Sequence, residues 1–254
     1  MAMRFPKVRD VPLQNSPLVD VLCQVRFPAI LKIAQSQPAE FQERVRDRFP
    51  VLEVEQGIRI GIPSLGSEAR LGVETSEPVY RFRSPFDPTV VTLARDFYAV
   101  STDSYKSWPD FAEVLATITQ AVSDVYRPAY AERIGLRYVN NLTLHNTGSS
   151  SAKELIDFPR SEITALLKSS EWDVPESLLT EMVLSDEFGK LKFRSGFTGV
   201  GSKSTLLLDF DFFEEGNLLM ETVIERTTRY HDIIYAAFRW CIPDESLGAF
   251  GPSL

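Results

Sequence analysis

Few residues in this chain invite covalent or metal chemistry. Its 254 positions hold two cysteines, Cys23 and Cys241, and two histidines, His145 and His231. The cysteines stand far apart, each in an apolar segment. They make neither a disulfide framework nor a metal-ligand spacing, and are read as reduced, packed thiols. Long apolar runs are missing as well. None approaches the roughly 18–20 residues that cross a bilayer, and the stretch ahead of Leu18 lacks the apolar centre of a secretion signal. Positive charge is in short supply, with 27 Lys and Arg against 35 Asp and Glu and a net charge of −8. That balance leaves no footprint for non-specific nucleic-acid binding. A soluble, cytoplasmic protein is expected, with no membrane partner and no cofactor. Oligomeric state is not legible.

What is present is ordinary globular material: 44% hydrophobic and 24% charged residues, enough to bury a substantial core. The segment 18–27, LVDVLCQVRF, puts Val19, Val21, Cys23, Val25 and Phe27 on one face of a strand. Phe41, Val45 and Phe49 recur every four residues and predict a helix over 38–49. Strands follow at 51–62, 70–75, 79–84 and 89–102, the last a β-branched and aromatic run. Ser107 with Asp110 three residues on is a helix start, and Phe111, Val114, Leu115, Ile118 and Val122 form its apolar stripe up to Pro128. Next comes RIGLRYVNNL at 133–142, a strand whose Ile134, Leu136, Tyr138 and Leu142 face a core. The polar stretch 145–153, HNTGSSSAK, is the linker candidate, dividing 1–144 from 154–254. Beyond it lie a helix at 161–168, strands at 179–187, 190–198 and 204–213, and a long helix over 217–241.

Both parts thus run strand, helix, strands, long helix, and RFRS at 81–84 echoes KFRS at 192–195 in the same phase. RIGLRYVNNL then doubles as the first strand of a second pseudo-repeat. Half-polar strands favour antiparallel sheets with one face covered by helices, so the class is α+β.

The sharpest chemical motif is LLLDFDFF at 206–213. Asp209 and Asp211 point to the same side of a strand, as do the acids that hold Mg²⁺ in nucleotidyl-transfer enzymes. A plainer reading competes. If the loop Gly199–Ser204 closes a hairpin, paired numbers sum to 403, so Arg194 faces Asp209 and Lys192 faces Asp211 as cross-strand ion pairs. The loop itself, GFTGVGSKS, nearly spells a phosphate loop. However, Ser202 interrupts the pattern, and the segment joins strand to strand where a phosphate loop joins strand to helix. His231 and Asp232 are helix neighbours pointing apart, so His231 is structural or faces a partner. Arg133, Arg137 and Asn141 share the polar face of their strand, and Arg26, Arg81, Arg83 and Arg194 fall on polar faces too. Such arginines grip an acidic partner, or pair with acids of their own sheet such as Asp20, Asp96 and Asp209.

In the segments PLVDVLCQVRF at 17–27, Tyr105…Trp108…Phe111, RIGLRYVNN at 133–141, Asp209-Phe-Asp211 and His231, the chain resembles a sporadically distributed family of bacterial proteins with no established activity. The resemblance spans nearly the whole chain. It implies no catalytic residue, and its patchy occurrence implies a mobile-island or defence setting. The expected function is a non-enzymatic binding module whose partner is another protein, with Arg133, Arg137, Asn141, Arg81, Arg83 and His231 as binding residues. The first alternative is metal-dependent phosphoryl or nucleotidyl transfer at Asp209 and Asp211. The second is a small-ligand pocket between sheet and last helix, lined by Phe210, Tyr235 and Phe238.

Overall fold

The computed structural model describes residues 3–6, 8, 11–59, 74–199 and 203–252. Its strands are β1 (Leu18–Arg26), β2 (Val51–Arg59), β3 (Glu74–Arg83), β4 (Val90–Ala94), β5 (Phe97–Thr102), β6 (Ala131–Thr143), β7 (Ser177–Ser185), β8 (Lys190–Thr198) and β9 (Thr205–Leu218). They form one sheet of nine, antiparallel at every pairing, in the order β2-β3-β4-β5-β1-β6-β9-β8-β7. The helices are α1 (Leu31–Gln35), α2 (Ala39–Val45), α3 (Trp108–Tyr126), α4 (Leu144–Thr147), α5 (Ala152–Asp157), α6 (Ser161–Thr164), α7 (Val223–Cys241) and α8 (Asp244–Leu247). None of them is long and apolar enough to cross a membrane, among the described residues. The class is α+β, as the half-polar strands imply.

One phase of every central strand supplies the core. Val21, Cys23 and Val25 of β1, Ile134 and Leu136 of β6, and Phe210 and Phe212 of β9 are all buried. Against them pack Phe41 of α2, Leu115 and Ile118 of α3, and Ile234 and Ala237 of α7. The other phase carries the charged residues. Alternation with period two decides the architecture: a single sheet has one face to cover, and two 19-residue amphipathic helices cover its middle. The start of α3 is as its sequence predicts. The Asp110 amide donates to the Ser107 hydroxyl, which donates back to the Asp110 carboxylate at 2.7 Å. Its end falls at Arg127, left-handed with φ 50°, immediately before Pro128.

Several boundaries differ from expectation. The run 89–102 is two strands, because the chain reverses at Arg95-Asp96 and pairs Ala94 with Phe97. No glycine marks that turn; its carbonyls are held from outside, by the amides of Ile30 and Phe27 at 2.9 Å each. The strand expected at 70–75 lies largely outside the described residues, and β3 starts at Glu74. β9 runs on through the acids Glu214 and Glu215 to Leu218, pairing with the first residues of β6, so the last helix begins at Val223. The stretch 145–153 holds most of α4, fastened by a reciprocal Thr143–Asn146 capping box, and leads into α5.

The loop between β8 and β9 is a hairpin connection. The observed pairs Lys192 with Asp211 and Arg194 with Asp209 sum to 403, as expected. Gly199 opens the turn at φ 110°, where an added Cβ would lie 2.4 Å from the Lys203 carbonyl oxygen. Only glycine serves there.

Candidate functional site

β6 presents two different chemistries. On the open face, Arg137 makes a bidentate pair with Asp209 (2.7 and 2.8 Å), and Arg133 reaches both oxygens of Asp211 (3.0 and 2.9 Å). Both contacts run diagonally, because the residue directly opposite Arg137 is Asp211 and that opposite Arg133 is Glu215. Arg194 stands 3.6 Å from Asp209 but donates to Glu181 at 2.7 Å. The hairpin register was legible, yet the tight partners of the two aspartates come from the strand on their other side. Arg133 also lies over the Phe213 ring, 4.5 Å from its centroid. The opening for it is Gly135, whose added Cβ would fall 2.4 Å from a guanidinium nitrogen.

Asp209 is 2% exposed, so its charge is held by hydrogen bonds rather than by water. Asp20 sits at the end of this row. Burial pushes its carboxyl up, Arg137 pulls it down, and the neighbouring Asp103 and Asp209 push it up further, leaving it above the ordinary carboxylate range. Both members of the Asp209–Asp211 pair are thus clamped by guanidinium groups. Among the described residues, no cluster of three His, Cys, Asp or Glu side chains is arranged to hold a metal.

Arg26, Arg81 and Arg83 pair with acids of their own neighbourhood instead. Arg26 pairs with Asp96 (3.1 Å), Arg81 with Glu55 (3.0 Å) and Arg83 with Glu53 (2.8 Å). β3 is four strands from β6, roughly 19 Å at ~4.8 Å per strand. The arginines therefore do not gather into one site. Asn141 shares the open face with Arg137 and is fixed through its backbone, its amide donating to the Pro17 carbonyl at 2.8 Å.

The covered face of β6 is different. Tyr138 and Asn140 point into the core, 6% and 4% exposed, where α7 places His231, 5% exposed. The Tyr138 hydroxyl lies 2.8 Å from His231 Nδ1 and donates to the Tyr105 hydroxyl at 3.2 Å. Tyr138 and His231 thus share one buried hydrogen bond, whose direction follows the imidazole tautomer. Trp108 stacks flat on the His231 ring at 4.9 Å, and its indole N–H donates to Thr228 at 3.2 Å. The Asn140 amide donates to the Leu208 carbonyl at 3.2 Å.

Tyr105, Tyr138, Asn140 and His231 border a partly open cavity of about 120 Å³, walled by Tyr235 and Phe238 of α7 and flanked by the segment from Val11 to Ser16, whose Val11 amide donates to the Tyr235 hydroxyl at 3.0 Å. Lys106 and Ser107, ahead of α3, also line it. Phe210, grouped with Tyr235 and Phe238 in the sequence, instead lines a separate apolar pocket of about 200 Å³. Asp232 is exposed while His231 is buried, so they form no dyad.

Asn140 has a signal in the sequence: it falls in the same phase as Ile134, Leu136, Tyr138 and Leu142, a polar amide on a core-facing row. Tyr105 and Trp108 carried no chemical signal of their own. They join Tyr138 and His231 because the segment leading into α3 packs beside α7, which lies on β6. Searches against protein-family models and against curated proteins found no match to this chain.

Proposed function

We propose that this is a cytoplasmic, non-enzymatic binding protein, and that its ligand is a small molecule seated against Tyr105, Tyr138, Asn140 and His231. The observation carrying this reading is a buried imidazole and a buried amide at the inner wall of a partly open cavity between β6, α7 and the segment from Val11 to Ser16. Burying such groups costs stability unless they are hydrogen-bonded, and the fold gains no packing from them that an aliphatic side chain would not give. Concave, largely apolar sites with a few convergent polar groups are the common form of ligand pockets. A dry cavity of about 150 Å³ holds benzene, so 120 Å³ suits a single ring or a molecule of similar bulk. Phenol and imidazole groups on its wall favour a ligand with hydrogen-bonding substituents.

The pairing of Asp209 and Asp211 with Arg137 and Arg133 supports this reading over metal-dependent phosphoryl transfer, because a cation would have to displace both guanidinium groups. The same pairing argues against the arginine face as the gripping surface for an acidic protein. The cytoplasmic placement rests on two buried free thiols, Cys23 and Cys241.

We also read the chain as two duplicated halves. In support, the last strand of each half lies beside its first, β5 on β1 and β9 on β6, and each half then ends in a 19-residue helix. The echoed RFRS and KFRS sit on β3 and β8, each second from its edge of the sheet. The cavity lies where the halves meet.

The test is a titration with phenol, benzoate and benzamide, followed by tryptophan fluorescence and by two-dimensional NMR of the labelled protein. At least one probe should bind, with shifts confined to Tyr105, Tyr138, His231 and their neighbours. Tyr138→Phe and His231→Gln should weaken it about tenfold, ~1.4 kcal/mol. Binding unchanged in both variants, or shifts scattered elsewhere, would sink the proposal.

A further inference from the structure

The two edges of the sheet are built differently. β2 carries Glu53 and Glu55 and slips register between Gln56 and Ile58. Charges and bulges are the usual means by which an edge strand resists further pairing. β7, at the other edge, pairs with β8 over nine consecutive residues without a slip, and contains no proline, glycine or lysine. Its single charge, Glu181, is drawn back into the sheet by Arg194 at 2.7 Å. Leu179, Met182 and Val183 are exposed by 66%, 45% and 51%.

Two further observations say what fits there. The apolar pocket of about 200 Å³ lies on the helix side of β7, between its Met182 and Leu184 and the Trp240 ring of α7. A strand added beside β7 would carry every second side chain on that side. Acidic residues stand at both ends of the edge: Asp173 and Glu176 before it, Glu187 after it, all exposed and forming no ion pair among the described residues. The centre is apolar and electrically quiet while both ends are negative. A second copy of the chain, laid antiparallel, would bring these acidic ends against each other.

We propose that β7 accepts an extended segment of another protein as a tenth strand, one with a large apolar side chain aimed at the Met182–Trp240 pocket and basic residues at its two ends. Main-chain hydrogen bonds to the open edge would give affinity, and the pocket and the acidic ends would give selectivity.

The test uses fluorescence anisotropy with a labelled peptide of about ten residues, alternating valine and threonine around one phenylalanine, with two lysines at each end. Two control peptides replace the lysines with glutamates, or the central valine with proline. The basic peptide should bind the full-length protein at least tenfold more tightly than either control, and should weaken as salt is raised. The double variant Glu176→Lys/Glu187→Lys, both exposed positions that leave the core untouched, should lose most of that preference. Leu179→Lys should weaken all peptides alike. Equal affinity for the lysine- and glutamate-ended peptides, or no binding of any, would overturn the proposal. So would a protein that dimerises through β7 at the same concentration, as shown by light scattering and its loss in Leu179→Lys.

Discussion

The open and covered faces of β6 hold polar groups on opposite terms. On the open face Arg133 and Arg137 meet Asp211 and Asp209 in matched pairs, so each guanidinium has a carboxylate in its own sheet. On the covered face Tyr138, Asn140 and His231 are embedded among apolar side chains and border a cavity. Charge at a surface is common and readily explained by pairing. A polar cluster beneath a helix layer costs stability to keep. The contrast teaches that the more conspicuous residues of this sequence, Arg133 and Arg137 with Asp211 and Asp209, are paired within their sheet, whereas the quieter Tyr105, Asn140 and His231 border a cavity.

The strongest way to break this contrast is to remove a framework charge. Asp209→Ala leaves Arg137 without its bidentate partner in a site where the acid is almost fully buried. Breaking a buried pair costs ~3–5 kcal/mol. Because the Arg137 side chain is 37% exposed, a loss of about 2 kcal/mol in urea unfolding is the expected result. Affinity for the cavity ligand should be unaffected, and a ligand effect as large as the stability effect would show that the two faces are not separate. On the covered side, Tyr138→Phe breaks the hydrogen-bond chain between Tyr105 and His231 for ~1 kcal/mol of stability. Ring stacking stays in place, so Trp108 fluorescence measured in a Trp172→Phe/Trp240→Phe background should change little.

Asp20 sharpens the comparison through pH. Its folded-state carboxyl lies above the ordinary range, chiefly from burial. The folded protein therefore holds that proton more tightly than the unfolded chain. The favourable contribution is complete below the unfolded value and is lost as pH rises through the folded one. Asp20→Asn should thus stabilise the protein at pH 7, by about 0.5 kcal/mol or less since the group is partly solvated. It should have no such advantage near pH 3. A variant that is less stable at both pH values would mean the carboxylate is a net asset to the row. The smallest effect is expected from Gly135→Ala, which pushes the Arg133 guanidinium off Phe213. Strand propensity gains what the ion pair loses, and the net change should stay within ~0.5 kcal/mol.

These cases show where sequence was enough. The alternation in β6 identifies both faces, and the 403 register aligns β8 with β9 from sequence alone. The helix start at Ser107 followed from local capping alone. What remained hidden depended on distant partners. Arg95-Asp96 turns without a glycine because Phe27 and Ile30 hold its carbonyls. β9 continues through two glutamates because β6 is there to pair with it. Arg137 prefers Asp209 to the acid opposite it because long side chains reach diagonally across a twisted sheet. Tyr138 links Tyr105 to His231 across more than a hundred residues of chain, which no local pattern encodes.

The seam between β1 and β6 has a practical corollary. The residues before Pro128 meet those after it through that antiparallel ladder, through the contact of α3 with α7, and through the N-terminal segment, where Val11 bonds Tyr235, Leu13 bridges Pro252, and Gln14 and Asn15 bond Gly251 and Phe250. Each side keeps its own strands and its own long helix. A chain cut between Arg127 and Tyr130 should therefore yield two fragments that reassemble when mixed, as split reporters do. The cavity would form only in the reassembled pair, turning ligand binding into a readout of whether the two pieces have found each other.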